Sequence, residues 1–197
     1  MDPQTFIFFG IVGSGKGTQV KKLREYLHDN DKKEQVYIGT GEIFRRIINA
    51  AKDDFEKDLA AHIVAGNLVP DEYTNKLVWN ELKAQQLSAE KHLVMDGYPR
   101  TAAQSRELEK MMDHYHREDI KIVFLELSKE EALERNLLRG RHDDTEEGLR
   151  KRFEEYEKKV IPAMGYFEGK PGYQIYKING AQSIENVHRD IKKVLNL

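Results

Sequence analysis

The sequence predicts an α/β fold, a three-layer α/β/α arrangement with a five-stranded parallel sheet between its helices. Two observations predict it. Five short apolar runs, rich in β-branched and aromatic residues, recur along the chain, and helical patterns separate most of them. The first run ends in a glycine-rich turn that passes directly into a helix-compatible stretch. Strands that alternate with helices pair in parallel and are covered on both faces.

Phe6-Ile7-Phe8-Phe9 is the first strand, and the polar stretch from Gly17 to His28 is the helix that follows its turn. Val36-Tyr37-Ile38, His92 to Met95, Ile120 to Leu127 and Gln174 to Ile178 are the other four strands. The stretch between the second and third strands is long for one crossover, so several short helices are expected there, as a small protruding subdomain. Ser128 with Glu131 reads as a capping box, opening a helix that runs to about Arg139. A long helix is expected from about Glu146 to Ile161, with Leu149, Phe153, Tyr156 and Val160 on its apolar face and Pro162 ending or kinking it. Ser183 caps a last helix, with Ile184, Val187, Ile191 and Val194 on one side. There are no repeats, low-complexity segments or extended linkers, so residues 1–197 read as a single domain.

Acidic and basic residues nearly balance, 34 against 32, so the overall charge points to neither a nucleic-acid nor a membrane partner. With no cysteine, disulfides and thiolate metal sites are excluded, which rules out a cysteine-held zinc. The apolar run from Phe6 to Val12 has no basic region before it and is too short to span a bilayer. A cytoplasmic protein is the expectation.

Gly10-Ile11-Val12-Gly13-Ser14-Gly15-Lys16-Gly17-Thr18 has the composition of a phosphate loop between strand and helix. Glycines let the backbone turn sharply and bring N–H groups close to an anion, and the helix N-terminus adds partial positive charge. Lys16 can reach the outer phosphates of a nucleoside triphosphate. The general Walker pattern places Ser or Thr directly after the lysine; here Gly17 takes that place and Thr18 follows.

With glycine after the lysine, the loop resembles that of the nucleoside monophosphate kinases, and the chain from there on resembles the adenylate kinase family, with motifs in the family's order. Val12 stands where many members have proline. The resemblance implies a P-loop kinase fold, transfer of a phosphoryl group from ATP·Mg²⁺ to AMP, and ATP contacts at Gly13, Ser14, Gly15, Lys16, Gly17 and Thr18. It implies a small helical monophosphate-binding segment, about 40–70, in which Thr40, Gly41, Arg45, Leu68 and Val69 contact AMP. Arg45 also has support from its helix: Ile43, Phe44, Ile47 and Ile48 make an apolar face and Arg45 points away from it, toward a phosphate or simply solvent. Arg46 reads as a surface residue.

In the segment Asp96-Gly97-Tyr98-Pro99-Arg100-Thr101-Ala102-Ala103-Gln104, Asp96 ends a strand at the edge where open sheets bind ligands. The acid is expected to organise Mg²⁺ through water, with a helix-cap or turn role as the alternative. By the resemblance, Arg100 clamps the AMP phosphate alongside Arg45, Gly97 contacts AMP, and Gln104 reads the adenine edge, where UMP/CMP kinases typically carry Asn.

Arg135, Arg139, Arg141 and Arg152 resemble the family's catalytic arginines: Arg135 over the adenine of ATP, the other three around the transferred group, with Arg141 and Arg152 also toward AMP. Arg152 lies beside the apolar face of its helix, where an arginine needs an anionic partner, a phosphate or a structural carboxylate. Asp143-Asp144 is expected to position the arginines. Only Gly140 separates Arg139 from Arg141, so the lid, about 139–145, is vestigial. Another surface, such as a second copy in a homo-oligomer, is then expected to help exclude water from ATP. The readings that compete with an adenylate kinase are a UMP/CMP kinase and a catalytically weak nucleotide-binding regulator.

Overall fold

A computed structural model describes residues 2–50, 57, 69–139 and 145–197. Five strands form one all-parallel sheet: β1 (Thr5–Gly10), β2 (Gln35–Gly39), β3 (His92–Asp96), β4 (Ile120–Glu126) and β5 (Tyr173–Asn179), in the order β2-β3-β1-β4-β5. All five expected strands are present, each extended by a residue or two or shortened by one. Central β1 is buried along its whole length, as a strand covered on both faces must be.

The described helices are α1 (Lys16–Asp31), α2 (Thr40–Ala50), α3 (Asp71–Ala84), α4 (Ala102–His114), α5 (Lys129–Arg139), α6 (Glu146–Glu155), α7 (Ile161–Gly165) and α8 (Ile184–Leu195). The alternation of β1 sends its residues to two cores. Ile7 and Phe9 pack on the side of α3, α4 and α7, with Val78, Leu82, Leu108, Met111 and Phe167. Phe6 and Phe8 pack on the side of α1 and α8, with Val20, Leu23, Leu27, Val187 and Ile191. Burying side chains of this size stabilises the fold by roughly 1.5–3 kcal/mol each. A third cluster, Ile11, Ala132, Leu149 and Phe153, seats α5 and α6 on the phosphate loop.

The edge of β2 is closed by a side chain. Gln85 accepts from the Tyr37 N–H at 3.0 Å and donates to the Tyr37 carbonyl at 2.9 Å, in place of a sixth strand.

Four described helices carry a Ser or Thr cap, at the expected Ser128 and Ser183 and also at Thr101 and Thr145. Ser128 accepts from the Glu131 N–H at 3.2 Å, although the Glu131 carboxylate takes the Ser128 hydroxyl rather than a backbone N–H. Ser183 accepts from Asn186 N–H at 3.2 Å, and Thr101 from Gln104 N–H at 3.1 Å. Two details sharpen or correct the expectation. Of the two outcomes expected at Pro162, an end or a kink, the helix does not end there. A π-helical turn, Tyr156–Val160, precedes it, with Ile161 N–H bonded to Tyr156 O, and the helix resumes as α7 with proline in its first turn. Proline has no N–H to give and its ring crowds the carbonyl of the preceding turn, and the wider π turn accommodates both. In α8, Ile184 is 48% exposed; the buried stripe is Val187, Ile191 and Leu195, because the first turn overhangs the core edge.

Candidate active site

β1 hands the chain to α1 on one face of the sheet, and β3 hands it toward α4 on the other. Because β1 and β3 are neighbours, a crevice opens between their carboxyl ends, the place where open α/β sheets bind ligands.

On the β1 side, the loop Gly10–Gly15 carries three glycines with positive φ, of which Gly13 and Gly15, at 90° and 88°, are in the left-handed region. Gly15 is the N-cap of α1 and offers no side chain, and no acidic residue stands in the first turn. The N–H groups of that turn therefore face the crevice without a side-chain acceptor, a ready anion site. A Cβ at Gly15 or Gly17 would have nothing within 4 Å, so the outer face of the loop is open. Lys16 folds back, donating to Gly10 O at 2.6 Å and Ile11 O at 3.0 Å. Ser14 is buried, and its hydroxyl has no hydrogen-bond partner among the described residues. Gly17 and Thr18 are exposed at the start of α1.

On the β3 side, Asp96 is aligned with Phe8 of β1 and with Gly39 of β2, at the mouth of the crevice. Thr40 donates to Gly97 O at 2.8 Å, and Arg100 Nε donates to the same carbonyl at 2.7 Å. Gly97 has φ 80°, and a Cβ there would stand 2.6 Å from Thr40 Oγ1 and 2.9 Å from an Arg100 nitrogen, so this meeting requires glycine. Burial lowers the Arg100 pKa from its ordinary value, Asp96 and Glu155 oppose the shift, and Arg152 adds to it. Arg100 and Arg152 are thus held near one another, with two carboxylates nearby. Arg45 is exposed on α2 and folds over Gly41, whose Cβ would lie 3.4 Å from its nearer guanidinium nitrogen. Arg46 pairs with Glu81 at 2.7 Å on the surface. Val69 is buried just ahead of α3.

Gln104 is buried, and its amide is already in use. Its carbonyl oxygen accepts from Arg100 N–H at 2.7 Å, and its nitrogen donates to Asp71 at 2.8 Å. An amide has two donors and two acceptor positions, so half its capacity remains.

On the far side of the loop, Arg135 donates to Gly180 O at 2.9 Å, so α5 reaches the turn that follows β5. Leu68, the Arg139 side chain, Arg141, Asp143 and Asp144 lie outside the described residues. Among the described residues no group of three or more His, Cys, Asp or Glu is arranged to hold a metal ion, and no helix is long and apolar enough to cross a membrane.

Three residues here were missed by the sequence reading. Asp71 accepts from Thr101 and Gln104, Glu155 acts on Arg100, and Asn136 donates to Val12 O at 3.0 Å. Asn136 had a signal: a poor helix former in the interior of a predicted helix. Asp71 and Glu155 look like ordinary surface acids in sequence.

A glycine-rich loop that leads from β1 into α1, with Asp96 and Arg100 at the end of the neighbouring β3, marks a P-loop α/β protein. The adenylate kinase family model matches residues 8–171. Adenylate kinase 1 of Nostoc sp. is 34% identical, covering 96% of this chain and 97% of that protein. The adenylate kinase of Flavobacterium psychrophilum is 32% identical over 96% and 97%. That of Thermosipho africanus is 29% identical across 222 aligned positions, more than this chain's length, so it carries insertions this chain lacks. The chain belongs to the adenylate kinase family, P-loop enzymes of reversible phosphoryl transfer between ATP and AMP.

Proposed function

We propose that the two nucleotides meet across the β1–β3 crevice and that the chain converts ATP and AMP to two ADP there. One observation carries this reading. Arg100, fastened to Gly97 O, lies where Asp96, Glu155 and Arg152 all act on its charge, beside a phosphate loop whose helix has no side-chain cap. Binding ATP alone would not need this second clamp.

In this reading Gly13, Ser14, Gly15, Lys16, Gly17 and Thr18 hold the ATP phosphates, and Arg135 lies over the adenine of ATP by the Asn179–Gly180 turn. Thr40, Gly41, Arg45, Leu68, Val69, Gly97, Arg100 and Gln104 hold AMP, and Arg139, Arg141 and Arg152 gather around the group in transfer. The open loop face, the buried Ser14 hydroxyl and the Thr40–Gly97–Arg100 junction support the assignment. Gln104 would read adenine with the donor and acceptor positions it has left.

An oxygen of the AMP phosphate attacks the γ-phosphorus of ATP. A new O–P bond forms as the bond from that phosphorus to the β–γ bridging oxygen breaks, and the electron pair leaves with ADP. The nucleophile is already anionic, so no general base is needed. Lys16 and the arginines stabilise the charge spread over the transferring group. Asp96 fits a magnesium ion held through water, since one carboxylate plus substrate phosphates is the usual arrangement for that ion. Bound with ATP, Mg²⁺ supplies neutralisation of phosphate charge.

The whole of 1–197 is then one kinase domain, with about 40–70 binding the monophosphate and about 139–145 a vestigial lid. The short span between the end of α5 at Arg139 and the start of α6 at Glu146 supports the last point. A second copy of the chain would supply the missing cover over ATP; a monomer with normal turnover and negligible ATP hydrolysis would refute that. A cytoplasmic location rests on the cysteine-free composition.

The deciding measurement is ADP formation from ATP·Mg²⁺ with AMP, CMP, UMP or GMP. Rapid transfer to AMP alone is expected. Transfer to CMP or UMP would make it a pyrimidine nucleotide kinase, and ATP binding without transfer would make it a regulator.

A further inference from the structure

We propose that Asn136 is a positioning residue for ATP: it holds the Val12–Gly13 peptide so that the Gly13 N–H is turned toward the triphosphate. The inference rests on the ATP site proposed above.

Asn136 is fully buried in the interior of α5. Its amide nitrogen donates to Ala132 O, one turn back in the same helix, at 2.6 Å, and to Val12 O in the phosphate loop at 3.0 Å. A peptide group is planar and trans, so its C=O and N–H point in opposite directions. A Val12 carbonyl held against α5 therefore turns the Gly13 N–H away from α5. Without the Asn136 donor, that peptide is free to rotate and to aim an oxygen, not a hydrogen, at the phosphates.

The fit between helix and loop is close. A Cβ at Gly13 would lie 2.3 Å from the Asn136 amide nitrogen and 2.9 Å from Ala132 O. Glycine at 13 thus serves the approach of α5 as well as its own positive φ. Ile11, Ala132, Leu149 and Phe153 form the apolar cluster between this helix, α6 and the loop. A leucine at 136 would add to it at no loss of helix propensity, whereas asparagine costs helix stability and must bury an amide. The bond to Val12 O, the one that ties the helix to the loop, helps to offset that cost. Asn136 also stands between Arg135 and Arg139, so the same bond sets the register of their helix against the loop.

The test compares the wild-type chain with Asn136→Leu, measuring ATP affinity by calorimetry, KM for each nucleotide, kcat and thermal melting. The expected result for the variant is a cooperative melt, ATP affinity and kcat/KM for ATP reduced about tenfold or more, and KM for AMP changed by no more than about twofold, because Thr40, Gly97, Arg100 and Gln104 stand on elements other than α5 and the phosphate loop. Asn136→Ser, which leaves room for a water at the Val12 carbonyl, carries the same comparison if the leucine variant does not fold. Unchanged ATP affinity in a folded variant, or equal losses for both nucleotides, would overturn the proposal. A wild-type chain that binds ATP but transfers nothing would refute the kinase reading alone, since ATP affinity still tests Asn136. A wild-type chain that binds no ATP would refute both.

Discussion

The Gln104 amide donates to one oxygen of the Asp71 carboxylate at 2.8 Å, and Thr101 donates to the other at the same distance. This carboxylate ties the start of α3 to the start of α4 and sets the orientation of Gln104. Asp71→Ala leaves a buried amide hydrogen and a hydroxyl without an acceptor. The expected cost is about 1–3 kcal/mol, read as a lower urea midpoint at unchanged m-value. The freed Gln104 side chain should also raise KM for AMP while leaving KM for ATP in place.

Arg100 reaches Gly97 O through Nε, leaving the other guanidinium nitrogens for a phosphate. Lysine at this position has neither the fork nor the Nε donor. Arg100→Lys should keep its circular dichroism spectrum and ATP affinity and lose about 10²–10³ in kcat with AMP.

Acid sensitivity should trace to the far end of the sheet. His92 is fully buried, with its Nε2 2.6 Å from Asp31 Oδ2 and its Nδ1 accepting from Gln4 N–H at 3.1 Å. The backbone donor requires a bare Nδ1, so the ring is neutral with its proton on Nε2. Burial lowers the His92 pKa below its ordinary 6.5, the Asp31 bond opposes this, and Arg117 and Lys33 add to it; the bond to His92 lowers the pKa of Asp31. Both folded-state values are depressed, so the unfolded chain binds more protons, and stability is lost as pH falls. The loss should begin near the unfolded histidine value, about 6.5, and continue into the carboxylate range. Melting temperature from pH 7.5 to 5 should fall in the wild type and fall less in His92→Gln; equal slopes would refute the assignment.

Arg117 is a buried cation with neutral acceptors: Thr5 Oγ1 at 2.9 Å, Gln4 O at 3.0 Å, Lys91 O at 2.9 Å and Ser88 O at 3.1 Å. Arg117→Leu orphans these carbonyls and should cost about 3 kcal/mol. It acts at the N-terminal edge of β1, opposite the phosphate loop, so specific activity well below the melting temperature should be unchanged.

The readings that succeeded from sequence depend on neighbours along the chain. The strand runs, the glycine loop, the caps at Ser128 and Ser183 and the outward face of Arg45 are each decided within a few residues, where backbone sterics and helical or pleated periodicity act. The open readings have local signals too, but a distant outcome. Pro162 is a breaker by its chemistry, yet the helix resumes as α7, where Ala163 O accepts from Ser105 of α4.

By itself the sequence determined the α/β class, the phosphate loop and the family. Only the tertiary structure decided that Asn136 faces Val12, that Asp71 takes up one of the two amide donors of Gln104, that Arg135 meets Gly180, and that Arg100 and Arg152 share one charge field. Those pairs are separated by 124, 33, 45 and 52 positions respectively. The physical reason is that the pairing of a buried polar group is settled by which elements the sheet order places side by side, and periodicity carries no record of that order.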